Sequence, residues 1–508
     1  MLADLILEGV PNENGDCGVA YMSSIGTKIV AIHVGGNPML KRAYANMVFA
    51  GDLEEVRGPE IIEQIVTYAE EEKEDKVQAL TEVPGIHLLG RVPAKMASHC
   101  AFDTKLRWSL FDMRLFPVPN PDYAPAILRK SEWGSPARNA YERIAKQAHY
   151  GNPFLMGDLT VEDFLPRGFN AQAVKMCTME EAIYGIPGYM KSIDMDSSIG
   201  YRLKKLGFRN RRQLFFDAEG NKRIHPLIKA AVEQQIERYE RGIVTPVIYE
   251  DSLKDELRSK EKRDNVDTRL YCAGDLESFI VQRMVLGRFF VEMTKDPCAS
   301  PCGLAINPHS SQWGDLYAWL KGAEEEKRKL LAGDFRNFDI SIKWYAVHAF
   351  VYLLMTTCPL LPKWVDLVVF ANFVGIHIFM WLVHTRPWGT ASGSFITSMF
   401  NTFWNWFIHK LAWCALYPQG EWKVVRSNFT GDDSLVSRPE KYEAYTMEYL
   451  AKFFREELQM AYTSCFKDDT PVTWENVTYL KRQFVRGDLG MQAPIVLKTL
   501  FNMCAWSD

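Results

Sequence analysis

The sequence predicts an α/β (α+β) chain of more than one domain, with a short all-β piece at its N-terminus. Three observations predict it. The chain has 508 residues, and at that length surface-to-volume scaling favours several domains over one core. Hydrophobic residues make up 47% and charged residues 24%, ordinary globular proportions that exclude a disordered or low-complexity chain. From about residue 79 onward helix and strand patterns mix, with no repeat of roughly 20–50 residues, which excludes solenoids and propellers.

The elements follow in order. Residues 1–50 alternate short apolar runs with glycines. Tyr21-Met22 and residues 29–34 read as buried strands bounded by Gly26 and Gly35-Gly36, and the β pattern ends near Pro38. Residues 51–78 are rich in acids, with the run Glu70-Glu71-Glu72-Lys73-Glu74-Asp75-Lys76. They read as a solvated linker that closes at Gln78-Ala79. Beyond it, residues 232–239, 276–292 and 395–416 carry helix periodicity, the last opened by the Ser392-Gly393-Ser394 turn. Residues 364–384 form the longest apolar stretch. Asp366, Asn372 and His377 within it exclude a membrane span and predict a buried core helix.

The formal net charge is −4. A polyanion-binding module usually has a high pI, so any nucleic-acid site must be a local basic channel in a neutral body. Ten cysteines without a repeated C-x-x-C pair read as reduced thiols. Cys298, Cys302 and His309 are zinc-ligand types, but a fourth ligand at a typical spacing is missing.

Four segments carry chemistry. Asp334 and Asp339 lie five positions apart after the apolar run 330–332, and a strand ending at Asp334 presents its carboxylate at the strand tip. In residues 430–436, apolar flanks around Gly431-Asp432-Asp433 read as a hairpin. Adjacent carboxylates at a hairpin tip repel, and a bound divalent cation removes that cost. In residues 392–401 a Gly-containing loop precedes a helix whose first turns carry Ser, Thr and Asn; they cap the helix or face a ligand. Residues 254–263, followed by Thr268-Arg269-Leu270, are a charged helix or hairpin, or a cationic wall for phosphates. Together these parts suit phosphoryl transfer. Asp334, Asp432 and Asp433 would hold two Mg²⁺ ions, in such sites about 3.5–4 Å apart, with Mn²⁺ as the alternative ion. Arg269 and Lys262 would hold a triphosphate.

In their order along the chain the segments resemble the RNA-dependent RNA polymerases of picornavirus-like positive-strand RNA viruses, of dicistrovirus, iflavirus or marnavirus type. Gly333 to Asp339 resembles motif A, Ser392 to Asn401 motif B, and Gly431-Asp432-Asp433 motif C. Lys254 to Arg269 resembles motif F, with its KDELR opening. Residues 473–482, ending in Leu480-Lys481-Arg482, run into motif E, and residues 197–201 resemble motif G. The resemblance implies a right-hand fold: residues 79–320 mainly fingers, 321–478 palm with a fingers insertion, and 479–508 motif E and the start of a truncated thumb. It implies Mg²⁺ ligation by Asp334 and Asp432 with Asp433 assisting, and ribose 2′-hydroxyl recognition by Asp339 and Asn401. Ser392, Gly393 and Thr397 belong to the loop and helix start beside the nascent pair. Lys254, Arg258, Lys262 and Arg269 would line the NTP tunnel. Lys467 would be the motif D general acid. Ser197, Gly200 and Tyr201 would meet the template, and Leu480, Lys481 and Arg482 the primer. The sequence departs from the family pattern at Thr430, where an aromatic is commoner, and at Asp267, which weakens the basic wall locally.

Cys17, in Gly15-Asp16-Cys17-Gly18, and His33, in residues 32–37, resemble the C-terminal part of a picornavirus-type chymotrypsin-like cysteine protease. There the Cys is the nucleophile, its turn forms the oxyanion hole, and the His lines the specificity pocket. The general base and its acidic partner are expected upstream, so no protease activity is expected from this chain alone. The whole reads as a polyprotein fragment: protease tail 1–50, linker and cleavage junction 51–78, then polymerase. The resemblance implies RNA template, nascent RNA and NTPs as partners, with a protein primer and other viral replication proteins. It implies host-cytoplasmic replication complexes at membranes, with no transmembrane segment in this chain. The alternatives are an inactive fragment that only binds RNA, and a reverse transcriptase.

Overall fold

The computed structural model describes, with a few short gaps, residues 83–108, 123–146 and 160–507, together with the backbone of four strands before residue 48. The chain forms two compact units, Met1–Glu74 and Asp75–Asp508. In the first, β1 (Asp4–Glu8), β2 (Ala20–Met22), β3 (Ile29–Asn37) and β4 (Arg42–Met47) make an antiparallel sheet of order β1-β4-β3-β2. The β pattern thus runs past Pro38. Its last strand carries Ala43 and Ala45, which give little hydrophobic signal. His33 lies on β3, in register with Ala45. Cys17, the acidic linker and the Gln78-Ala79 junction lie outside the described residues.

The second unit begins with β5 (His87–Arg91) and α1 (Pro136–Lys146). After α2 (Pro226–Glu240) come β6 (Ile248–Leu253), β7 (Leu270–Gly274) and the long helix α3 (Leu276–Met293). Then follow β8 (Arg328–Arg336), α4 (Trp344–Thr357), β9 (Ile376–Phe379), β10 (Leu382–Thr385) and α5 (Thr397–Leu416). The hairpin β11 (Arg426–Thr430) and β12 (Asp433–Pro439) leads to α6 (Met447–Leu458) and β13 (Ala461–Ser464). A small hairpin, β14 (Thr478–Tyr479) and β15 (Arg482–Gln483), comes near the end. Two sheets organise the unit. One has the order β7-β6-β9-β10-β5, with only the β6–β9 pair parallel; the other is antiparallel, β11-β12-β8-β13.

Local chemistry explains the elements. Asp275 caps α3 by accepting the Ser278 N–H at 2.7 Å. Helix α5 is buried over most of its length and mostly apolar, and Trp404, Trp406 and Trp413 on it are fully buried, as expected of a helix at the centre of a large core. The stretch 364–384 is not one buried helix. It is a six-residue helix, Val365–Phe370, followed by the β9–β10 hairpin. A short apolar run does not distinguish a buried strand from a buried helix. Gly375 breaks it where a Cβ would lie 2.6 Å from the Tyr249 ring. Among the described residues, no helix is long and apolar enough to cross a membrane.

Candidate active site

The antiparallel sheet assembles the acidic centre. β8 pairs with β12 through Gly333 and Ser434, so the next step of the register sets Asp334 opposite Asp433. The strand continues past Asp334 to Arg336, pairing Asp334 with Thr463 of β13. Gly333 is required by close approach, because a Cβ there would lie 2.3 Å from the Tyr462 ring. β11 and β12 close through Gly431-Asp432, with Thr430 paired to Asp433. Gly431 has φ +62°, which a two-residue hairpin turn demands at its first central position.

Burial acts on all three carboxyls, and repulsion by a neighbouring carboxylate adds to it at Asp334 and Asp433. Burial, then Asp432, pushes the Asp334 carboxyl up, against the pull of Lys467 and Lys262. Asp432 is exposed at the turn tip, yet its crowded surroundings raise it, against Arg269 and Lys481. Asp433 is pushed up to about 7 by burial, then by Asp432 and Asp334, against Lys481. Asp334, Asp432, Asp433, Lys262, Lys467, Arg269 and Lys481 therefore share one electrostatic neighbourhood. Lys467 and Lys481 lie at left-handed backbone positions, φ +63° and +59°, a conformation costly for side-chain-bearing residues. Leu480 is left-handed too, at +52°, and turns β14 into β15.

Helix α5 holds the acidic hairpin from below. Thr402 Oγ1 accepts the Gly431 N–H at 2.9 Å, and Asn405 Nδ2 donates to the Gly431 carbonyl at 3.0 Å. Thr430, the departure noted in the sequence, shares a hydrogen bond of 2.9 Å with the Tyr479 hydroxyl, which donates to Asn428 Oδ1 at 2.9 Å. Thr402 and Asn405 were missed in the sequence, and Tyr479 was read there only as the aromatic of motif E. The signal for the first two was polar residues interrupting an otherwise apolar helix.

Asp339 and Asn401 meet as expected. Asn401 Nδ2 donates to Asp339 Oδ1 at 2.7 Å, and Thr390 Oγ1 donates to Asn401 Oδ1 at 3.2 Å. Asn337, left-handed at φ +57°, turns the chain from β8 towards Asp339. The loop before α5 is stitched to β7. Gly393 bridges Ala273 in parallel, Ser392 Oγ accepts the Cys272 N–H at 3.3 Å, and a Cβ on Gly393 would lie 2.1 Å from the Cys272 carbonyl. Thr397 Oγ1 closes the loop on itself, donating to the Ala391 carbonyl at 2.6 Å. The α5 N-cap is Ile396, which makes no side-chain cap.

The basic segment is part strand, part short helix, and Lys254, Arg258 and Arg269 in it are paired with acids. Glu256 faces Arg269 Nε at 2.6 Å, Lys254 Nζ at 3.4 Å and Arg258 Nη1 at 3.4 Å. Asp267 binds Arg258 Nη2 at 3.2 Å and also pairs with Arg143 of α1. Burial, then Arg258, Arg336 and Arg269, bring Arg143 down to about 10. Burial, then Arg258, Lys467 and Arg269, lower the Lys262 ammonium. Arg143, Arg336 and Glu256 were not singled out in the sequence, because Arg143 lies far from the motif along the chain and Glu256 reads there as one acid among bases.

The remaining predicted residues do structural work. Tyr201 is buried and donates to the Met96 carbonyl at 2.5 Å. Gly200 has φ +81° and lies against the Asp275 backbone. Ser197 donates to Asp194 Oδ2 at 2.5 Å. Arg482 donates to the Ala493 carbonyl at 2.7 Å and faces His309 Nε2 at 3.4 Å. Cys302 is fully buried, its Sγ 4.0 Å from Met399 Sδ. Among the described residues, the group of side chains close enough to share a metal ion is not Cys298, Cys302 and His309 but Asp251, His377 and His384.

Comparison with known proteins follows the same lines. The chain is 26% identical to the replicase polyprotein of acute bee paralysis virus (strain Rothamsted), over 98% of this chain and 28% of the polyprotein. It is 25% identical to the genome polyprotein of human enterovirus 70 (strain J670/71), over 94% of this chain and 19% of the polyprotein. It thus spans less than a third of the length of these curated relatives. The structure is similar to a sicinivirus 3Dpol RNA-dependent RNA polymerase, with a TM-score of 0.66 at 24% identity, covering 83% of this chain and 87% of that one. That likeness establishes the right-hand polymerase fold. The profile of the viral RNA-dependent RNA polymerases matches residues 156–508, which contain every element of the acidic centre and, apart from Arg143, its basic surround. The chain therefore belongs to the viral RNA-dependent RNA polymerase family.

Proposed function

We propose that this chain carries out template-directed RNA synthesis, joining NTPs to an RNA 3′-hydroxyl with two divalent cations held by Asp334, Asp432 and Asp433. The observation that carries the reading is the register that sets Asp334 against the Gly431-Asp432-Asp433 turn, ringed by Lys262, Lys467, Arg269 and Lys481. The donor set fits Mg²⁺: all oxygen, all carboxylate, and mutually repelling until a cation separates them. When bound, the two ions supply activation of the 3′-hydroxyl and neutralisation of the leaving pyrophosphate. The chain's own residues do the rest. Arg269 and Lys262 hold the triphosphate, with Glu256 fixing the Arg269 fork. The Asp339–Asn401 pair presents its polar atoms to the ribose 2′-hydroxyl, favouring RNA precursors. Lys467 delivers a proton to the departing pyrophosphate.

The test is ribonucleotide incorporation on an RNA template with Mg²⁺. Activity lost on Asp432→Ala supports the assignment, and activity kept on that change defeats it. Preference for dNTPs favours a reverse transcriptase. RNA binding with no synthesis under any divalent ion favours an inactive binding fragment.

We infer also that the chain is part of a viral polyprotein acting in membrane-associated replication complexes of the host cytoplasm, with a protein primer among its partners. Its similarity to two polyproteins supports this. The antiparallel β unit supports reading residues 1–50 as a piece of a β-sheet protease, and Cys17 as its nucleophile rests on the sequence resemblance alone. Cleavage of a Gln-containing peptide, abolished by Cys17→Ala, would test the role of Cys17.

A further inference from the structure

We propose that Asp251, His377 and His384 form a buried zinc-class metal site that staples three strands of the five-stranded sheet. The sheet pairing creates the cluster. His377 of β9 and His384 of β10 are directly opposite in register, and such cross-strand pairs hold their Cβ atoms about 4.5–5.5 Å apart. His377 is in register with Tyr249 of β6, which puts Asp251, two residues on, on the same face. Asp251 and His384 are 0% exposed and His377 is 3% exposed.

The donor atoms converge. Asp251 Oδ1 is 2.9 Å from His377 Nδ1, Asp251 Oδ2 is 3.7 Å from His384 Nε2, and one ligand atom from each residue lies within 4.8 Å of the others. Zinc bonds to nitrogen and oxygen of about 2.0–2.2 Å place tetrahedral donors about 3.3–3.5 Å apart. The two observed separations lie on either side of that value. One carboxylate oxygen and one nitrogen of each imidazole supply three protein ligands, the number of a zinc site that keeps its fourth position for a water. Tyr141 of α1 donates its hydroxyl to Asp251 Oδ2 at 2.9 Å, the outer hydrogen bond that orients a ligating carboxylate.

Charge favours a cation here. A buried carboxylate is stabilised by positive charge beside it. A proton on one imidazole supplies it and accounts for the 2.9 Å contact to His377. A divalent ion supplies it while drawing in His384 as well, and it uses imidazoles in their neutral, ligating form. Two imidazoles with one carboxylate select zinc over Mg²⁺. The staple would join β6, β9 and β10, and β6 pairs with β7, whose backbone holds Gly393.

The test is elemental analysis of the untagged full chain, purified without added metal. We expect about one zinc per chain, kept in Asp432→Asn and falling below about 0.1 in Asp251→Asn and His384→Gln. Removing the ion with a chelator should lower the melting temperature, and added Zn²⁺ should restore it. If the variants do not fold, the wild-type chain still decides. Replacement by Co²⁺ should give the visible absorption of a four-coordinate nitrogen–oxygen site. A wild-type chain that is metal-free as purified, and that gains neither stoichiometric Zn²⁺ or Co²⁺ nor thermal stability when these ions are supplied, overturns the proposal and leaves a proton as the neutralising charge.

Discussion

Replacing Asp433 by asparagine should stabilise the metal-free chain at alkaline pH while abolishing synthesis. Its carboxyl is raised from an ordinary 3.8 to about 7 by burial and then by Asp432 and Asp334. Because the folded value lies above the unfolded one, the folded chain keeps a proton between about pH 4 and 7 that the unfolded chain has lost. The associated stability is fully present below about pH 4 and is lost as pH rises through about 7. A difference of about three pH units corresponds to about 4 kcal/mol at 1.36 kcal/mol each. Sharing of the repulsion with Asp334 and Asp432, and water on the open side of the cleft, reduce this to about 1–3 kcal/mol. Urea unfolding in EDTA at pH 5 and pH 8 measures it. Wild type should lose stability between the two conditions, Asp433→Asn should lose much less, and Mg²⁺ at pH 8 should recover most of the wild-type loss. Equal pH dependence for both proteins, or no Mg²⁺ effect on wild type, would refute the crowded-carboxylate argument.

Three further outcomes are expected. Gly393→Ala drives a Cβ into the Cys272 carbonyl; the loop must shift at a cost of about 1–3 kcal/mol, and nucleotide incorporation should fall at least about tenfold, so wild-type rates would contradict the stitching of this loop to β7. Asn401→Ala removes the 2.7 Å bond to Asp339, and the preference for rNTP over dNTP should fall about tenfold, the equivalent of about 1.4 kcal/mol, as read from competing incorporation rates. Lys410→Met breaks the buried pair with Asp163, 2.7 Å long, that ties α5 to residues 160–164; urea unfolding should report a loss of about 2–4 kcal/mol, and an unchanged midpoint would remove this tie from the account of the fold.

Much of the site was legible because its parts are local. A Gly between two apolar runs announces a hairpin, and Asp432 and Asp433 beside it announce a repulsion in need of a cation. The helix over residues 395–416 was legible from periodicity within two residues of its observed start. What was not legible depends on partners distant in the chain. Nothing near Asp267 in the sequence identifies Arg143 as its partner, and the pairing of Glu256 with Arg269 depends on how the chain folds back. The stretch 364–384 was misread because hydrophobicity measures burial, and a buried helix and a buried hairpin are equally apolar.

By itself, then, the sequence determined the chemistry available: which carboxylates, which cations, which hydroxyls, and in what order. Only the tertiary structure decided which of them act together. Antiparallel pairing of β8 with β12 sets Asp334 against Asp433 across nearly 100 residues of chain. Cross-strand register sets His377, His384 and Asp251 on one buried face. The physical reason is common to both cases. Register fixes neighbours to within a few ångströms, and electrostatic and ligation energies vary steeply over that distance.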